Sequence, residues 1–187
     1  MEKEVSAILL AGGYSSRMGR CKAELDFHGL SLIRYQANKL GALGIEDIVI
    51  AGYPKPPAGT RYVPDVYPHR GPLSGVHAGL LAVRNASALV LAVDSPLIPE
   101  ALLIELIETH RAGITLASNR GEAEPLIGVY DKALAQSCAA ILRGDNTSMR
   151  ALLDRVKPTL VAYRGDPTLL LNCNTPEEYQ RICAYCK

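Results

Sequence analysis

Short apolar, β-branched runs alternate along this chain with longer segments whose apolar residues recur every three or four positions. That alternation predicts an α/β fold: a three-layer, Rossmann-like, mostly parallel sheet with helices on both faces. Strands are expected at Val5 to Leu10, Asp47 to Gly52, Arg61 to Pro64, Ala88 to Val93, Ile114 to Ala117, Leu126 to Tyr130, Thr159 to Tyr163 and Leu169 to Leu171. A polar, Gly-containing excursion separates the fifth of these from the sixth. The first helix should start behind Ser31, an N-cap candidate, carry Leu32, Ile33, Leu40 and Leu43 inward, and stop at Gly44. Further helices are expected from Pro72 to about Arg84, from Pro99 to about Arg111, over Lys132 to Leu142 and Ser148 to Val156, and from Pro176 onward.

Length and composition narrow the setting. At 187 residues, without internal repeat, coiled coil or low-complexity linker, the chain is expected to form one domain, 1–187. Twenty Lys and Arg against 19 Asp and Glu give a net charge of +1, so no global field points to nucleic acid or an acidic membrane. Phosphate-binding charge must therefore be local. No apolar run approaches the roughly 18 to 20 residues of a membrane span, and the acidic start is unlike a secretory signal. Five cysteines, an odd number, suit reduced thiols and a cytoplasmic location. The Cys183-Ala-Tyr-Cys186 spacing is open to a metal reading with Cys173 or to an ordinary C-terminal helix. His28, His69, His77 and His110 lack metal-ligand spacing and read as surface or packing residues.

In open α/β sheets ligands bind beyond the carboxyl ends of the strands, so polar residues just after each strand carry the chemistry. The first strand runs into Leu10-Ala-Gly-Gly-Tyr-Ser-Ser-Arg-Met-Gly-Arg-Cys-Lys22, the third into Asp65 and the fourth into Asp94-Ser-Pro. Gly12 and Gly13 would let backbone N–H groups approach an anion, and Arg17 and Lys22 add positive charge. The same loop also fits a plain solvated βα connection, and it matches neither a Walker A nor a Rossmann glycine pattern. Asp94 is placed either to hold Mg²⁺ against phosphates or to cap the Ser95-Pro-Leu-Ile-Pro99 turn. Gly71-Pro-Leu-Ser-Gly75 offers a second backbone approach or simply starts a helix.

Taken together these motifs resemble a known family. Leu10-Ala-Gly-Gly with Ser16-Arg-Met-Gly19 and Lys22 is similar to the signature of nucleoside-triphosphate transferases. Asp65 ahead of Gly71-Pro-Leu-Ser-Gly75, then Asp94-Ser-Pro, Glu124-Pro-Leu and Asn172-Cys-Asn-Thr-Pro-Glu-Glu178, resemble the later motifs of the molybdenum cofactor guanylyltransferases, in the same order. Ala11-Gly12-Gly13, where the related cytidylyltransferases more often read Ala-Ala-Gly, and the Asn-x-Asn-Thr-Pro ending favour that branch. The resemblance implies the nucleoside-diphospho-sugar transferase type of fold. It also implies nucleotide contacts from Leu10, Ala11, Gly12, Gly13 and Lys22, a guanosine contact from Asp65, and both nucleotide and Mg²⁺ contacts from Asp94. Asn172 and Asn174 would lie near the pterin. Two departures stand out: Ala51-Gly52-Tyr53 where relatives often carry Asn, and Cys21 where they often carry Asp.

The implied reaction is in-line attack by the terminal phosphate of molybdopterin on the α-phosphorus of GTP, with release of pyrophosphate. No covalent nucleophile is needed, and catalysis reduces to alignment and charge neutralisation by Lys22, Arg17 and Mg²⁺ on Asp94. Implied partners are GTP, the molybdenum cofactor and, transiently, cofactor-delivery proteins or apo-molybdoenzymes. The rival expectations are CMP transfer to the same cofactor, transfer to a sugar or alcohol phosphate, or a non-catalytic nucleotide or cofactor carrier.

Overall fold

The structure is a computed structural model that describes residues 4–12 and 21–185. The strands are β1 (Ser6–Leu10), β2 (Asp26–Phe27), β3 (Leu30–Ser31), β4 (Ile48–Ala51), β5 (Arg61–Val63), β6 (Ser87–Ala92), β7 (Ile114–Asn119), β8 (Glu122–Asp131) and β9 (Thr159–Ala162). The helices are α1 (Leu32–Ala42), α2 (Pro72–Ala82), α3 (Glu100–Thr109), α4 (Ala135–Leu142), α5 (Met149–Arg155) and α6 (Pro176–Tyr185). Seven strands form one sheet in the order β5-β4-β1-β6-β8-β7-β9, and β2 and β3 form a separate small hairpin. The pairings β5–β4, β4–β1, β1–β6 and β7–β9 are parallel; β8 lies antiparallel between β6 and β7. The expected three-layer, mostly parallel architecture is what the chain forms.

The period-2 rule separates two cores. Ala7, Leu9, Ile48, Ile50, Leu89 and Leu91 face α1, α3 and α6, while Ile8, Leu10, Val49, Ala51, Ala88 and Val90 face α2, α4 and α5. Covering both faces explains why these strands read as unbroken apolar runs. Helix α2 lies directly on β1 because its contact positions are glycines: a Cβ at Gly79 would stand 2.5 Å from Ile8 Cγ2, and one at Gly75 would stand 2.9 Å from Leu10 Cδ2. Among the described residues no helix is long and apolar enough to cross a membrane.

Local chemistry sets the element ends. Ser31 occupies the α1 N-cap position with an extended backbone, although its hydroxyl makes no capping bond. Gly44, at φ +78°, ends that helix. Pro72 sits in the first turn of α2, and Ser148 caps α5 by accepting from Ala151 N–H.

Two expectations need correction, and one element has no counterpart among them. Leu169 to Leu171 is not a strand: Asp166 accepts from Thr168 N–H and starts a 3-10 turn over Pro167–Leu170. The excursion expected between Ala117 and Leu126 is a tight hairpin instead, with Arg120 and Gly121 both at positive φ, so β7 and β8 run two and four residues further toward it. The β2–β3 hairpin, turning at His28 and Gly29, was not foreseen, because two-residue strands show no periodicity.

Candidate active site

Strands β1, β4 and β6 end side by side, and the loops leaving them wall a cleft of about 1070 Å³. Leu10, Ala11, Gly12, Lys22, Asp65, Asp94, Asn172 and Asn174 all line it. The fold thus gathers in one place every sequence-predicted site residue it describes; Gly13 and Arg17 lie outside the described residues.

Lys22 begins a 3-10 turn, Lys22–Glu24, and stretches back across the sheet edge. Its Nζ donates to Asp94 Oδ2 at 2.7 Å and to Asn174 Oδ1 at 2.6 Å. Both partners of the ion pair are largely shielded, with 15% and 14% of their side chains exposed. Low local dielectric strengthens such a pair beyond a surface one. Asp94 is held through its backbone as well, since its carbonyl accepts from Cys173 N–H at 2.8 Å. Ser95 Oγ donates to Asn172 Oδ1, so Asn172 is tied directly to the β6 end and Asn174 through Lys22.

The Asn172–Thr175 loop is fixed from behind. Cys173 is fully buried, and burial first of all pushes its thiol up to about 12, which makes it an anchor and not a nucleophile. Thr175 and Glu178 form a reciprocal cap at the start of α6: Glu178 Oε2 accepts from Asn174 and Thr175 N–H at 2.7 and 3.0 Å, and Thr175 Oγ1 accepts from Glu178 N–H at 3.2 Å. Thr175 and Glu178 line the cleft too, a pair that sequence reasoning missed as site residues.

Across the cleft, Asp65 follows β5. Its Oδ1 is buried and has no hydrogen-bond partner among the described residues, and burial drives its carboxyl above the ordinary value. An orphaned carboxylate oxygen in a ligand cleft seeks a donor. Near it Gly12 meets Gly52 backbone to backbone: a Cβ on Gly52, whose φ is +85°, would stand 2.4 Å from Gly12 Cα. Gly52 therefore packs directly on Gly12 just past β1, and Tyr53 Oη donates to Glu24 Oε1 at 2.9 Å. His69 and Gly71, both at positive φ, form the lip ahead of α2.

The remaining histidines pack elsewhere. His28 stacks edge-on against Phe27, His77 lies against Tyr67, and buried His110 bonds Asp131 and Thr115. His69 is exposed, as expected, but on the cleft lip. Among the described residues no three His, Cys, Asp or Glu side chains cluster to hold a metal, and Cys21, Cys138, Cys173 and Cys183 are free thiols; Cys186 lies outside the described residues.

Residues 7–160 match the family described as the MobA-like NTP transferase domain. A molybdenum cofactor guanylyltransferase of Rhizobium meliloti (strain 1021) is 34% identical, over 96% of this chain and 90% of its own length. Another, from Xanthomonas euvesicatoria pv. vesicatoria (strain 85-10), is 30% identical over 97% and 96%. Among solved structures, molybdopterin-guanine dinucleotide biosynthesis protein A from Archaeoglobus fulgidus superposes with a TM-score of 0.78 at 20% identity, covering 95% of this chain and 96% of its own. A nucleotidyl transferase from Methanothermobacter thermautotroptrophicus reaches 0.79 at 19% identity over 97% and 96%. At those identities the two structures speak for the fold alone.

Proposed function

The chain belongs to the MobA-like NTP transferase family of nucleotidyltransferases, and from that premise we propose that it transfers GMP from GTP to the terminal phosphate of molybdopterin, releasing pyrophosphate. The observation that carries the reading is the meeting of Lys22 and Asp94, 72 positions apart, at the floor of the cleft. At about 1070 Å³ the cleft stands at the upper end of the roughly 300–1,000 Å³ of ligand sites.

In this reading an oxygen of the acceptor phosphate attacks the α-phosphorus, the bond to the bridging oxygen of the β-phosphate breaks, and pyrophosphate leaves with the electron pair. Lys22 holds positive charge against the phosphates, and Arg17 adds a second charge from the same loop. Gly12 and Gly13 bring backbone N–H groups to the triphosphate without a Cβ in the way. Leu10 and Ala11 floor the nucleotide. The orphaned Asp65 oxygen accepts from the donor edge of guanine, the amide N–H and the amino group. Asn172 and Asn174 spend their side-chain oxygens on Ser95 and Lys22, which leaves their Nδ2–H donors for the acceptor.

A single shielded carboxylate at the cleft suits magnesium, which keeps several waters and binds through one or two carboxylates plus substrate phosphates. The donor set fits an ion arriving with the triphosphate. Asp94 would hold it, and when bound it supplies charge neutralisation at the phosphate oxygens.

The test is pyrophosphate release from GTP with molybdopterin and Mg²⁺. Asp94→Ala is expected to lower turnover at least ~10²-fold, the loss seen when one stabiliser of transition-state charge is removed. Turnover within a few-fold of the unmodified protein would discard the assignment of Asp94.

A further inference from the structure

Helix α1 presents two polar side chains where an amphipathic helix would carry apolar ones. Gln36 is fully buried and Lys39 nearly so, and both share the inward face with Leu32, Ile33 and Leu40. Gln36 Nε2 donates to the carbonyls of Ala92 and Ser95 at 3.2 and 3.0 Å. Lys39 Nζ donates to those of Pro96 and Ile98 at 2.5 and 2.9 Å. The four acceptors bracket Asp94 on both sides.

The segment they hold is irregular and mostly buried, with Pro96 and Pro99 lacking the N–H groups a regular ladder would use. Buried carbonyls need donors, and α1 provides four bonds at once. Gln36 Oε1 is itself buried without a bond among the described residues, so the amide is oriented by what its nitrogen donates to. The Asp94 carbonyl in turn receives Cys173 N–H, and the Asp94 carboxylate receives Lys22. The turn that carries Asp94 is therefore held through its backbone by α1 and by Cys173, and the carboxylate itself by Lys22.

We infer that Gln36 and Lys39 are positioning residues, which act through the Asp94 turn to aim that carboxylate at the cation and phosphates of the bound nucleotide. The inference rests on the nucleotidyl-transfer reading given above. Outer partners that orient a metal-holding carboxylate contribute about 10- to 100-fold to affinity or activity. Displacements near 1 Å of a reacting group carry losses of about 10²-fold.

Mn²⁺ binding to the protein–GTP complex, read by electron paramagnetic resonance without acceptor, tests it apart from turnover. Gln36→Met and Lys39→Met are expected to weaken Mn²⁺ binding about 10-fold. In the full assay they should lower kcat to match while KM for GTP stays within about threefold. Lys39→Arg, which keeps charge and donors, should recover part of the loss. Leu106→Ala, a cavity in α3 away from the turn, controls for destabilisation and should leave Mn²⁺ binding unchanged. Should Lys39→Met fail to fold, Gln36→Met decides alone. Unaltered Mn²⁺ affinity in Gln36→Met, or an equal loss in Leu106→Ala, would overturn the inference. If the unmodified protein with GTP binds no Mn²⁺, the functional reading falls and this inference with it.

Discussion

Gly52→Ala separates backbone conformation from backbone contact in the β1 loop. Two costs are expected. The left-handed φ of +85° strains any residue with a Cβ by about 1 kcal/mol. The new Cβ would also stand 2.4 Å from Gly12 Cα and 2.6 Å from Gly12 N, where ordinary carbon contacts need about 3.5–4.0 Å. Both neighbours are main chain, so the loop must shift by roughly 1 Å, and overpacking of that kind costs about 1–3 kcal/mol. The sum is about 2–4 kcal/mol. At about 2–4 °C per kcal/mol for a chain of this size, Tm should fall by roughly 5–15 °C. Gly44→Ala is the matched control, with φ +78° and nothing within 4 Å of the new Cβ, so it should lose only the strain. Calorimetry of both variants and GTP titration of each give the comparison. Gly52→Ala should weaken GTP because Gly12 lines the cleft, and Gly44→Ala should not. Equal Tm losses in the two variants, with GTP affinity intact, would refute the steric role of the Gly12–Gly52 contact.

Asp47, just ahead of β4 at the end of the strands away from the cleft, gathers Ser6 Oγ, Arg61 and Arg84 N–H. Burial pulls its carboxyl upward but these bonds outweigh it and hold it below 3.8, so its stabilisation is complete above 3.8 and is lost as pH falls through the lower folded value. Asp47→Asn should therefore cost about 2 kcal/mol at neutral pH and flatten the acid limb of a Tm-against-pH curve, and an unchanged curve would contradict it. Asp65 behaves in reverse: burial raises its carboxyl above 3.8, so ionisation there opposes folding, and GTP binding through its carboxylate should strengthen as pH rises through that raised value. Asp65→Asn is expected to raise the Tm of the ligand-free protein at neutral pH while lowering discrimination of GTP over ATP about 10-fold or more; a lowered Tm with discrimination retained would count against it.

Most of the sheet was legible because both of its faces are covered: Ser6–Leu10, Ile48–Ala51 and Ser87–Ala92 are apolar throughout or nearly so. Strand β8 was harder, since Pro125 interrupts its pattern where the pairing with β7 slips, and Tyr130 Oη supports the irregular stretch by donating to the Pro125 carbonyl at 2.5 Å. The 3-10 turn at Pro167–Leu170 looked like a strand because its leucines are apolar and its cap, Asp166, lies outside the run. At the site, Lys22, Asp65, Asp94, Asn172 and Asn174 were legible through the motifs they stand in. Gln36 was not, although it falls four residues after Leu32 and four before Leu40, in the middle of the apolar stripe. A polar residue at such a position signals a buried partner, but only the fold reveals that the partner is the Asp94 turn. Beyond ending a strand and departing from the relatives' Asn, Gly52 gave no sign of its steric role, because that constraint comes from Gly12, 40 positions earlier in the sequence numbering.

The most direct test of the account is a competition: purified protein with Mg²⁺, molybdopterin and equimolar GTP, CTP, ATP and UTP, the products weighed by mass spectrometry. The account predicts a GMP adduct of molybdopterin, with pyrophosphate released in equal amount. A CMP adduct in its place, or no adduct from an acceptor preparation that a known transferase accepts, would contradict it.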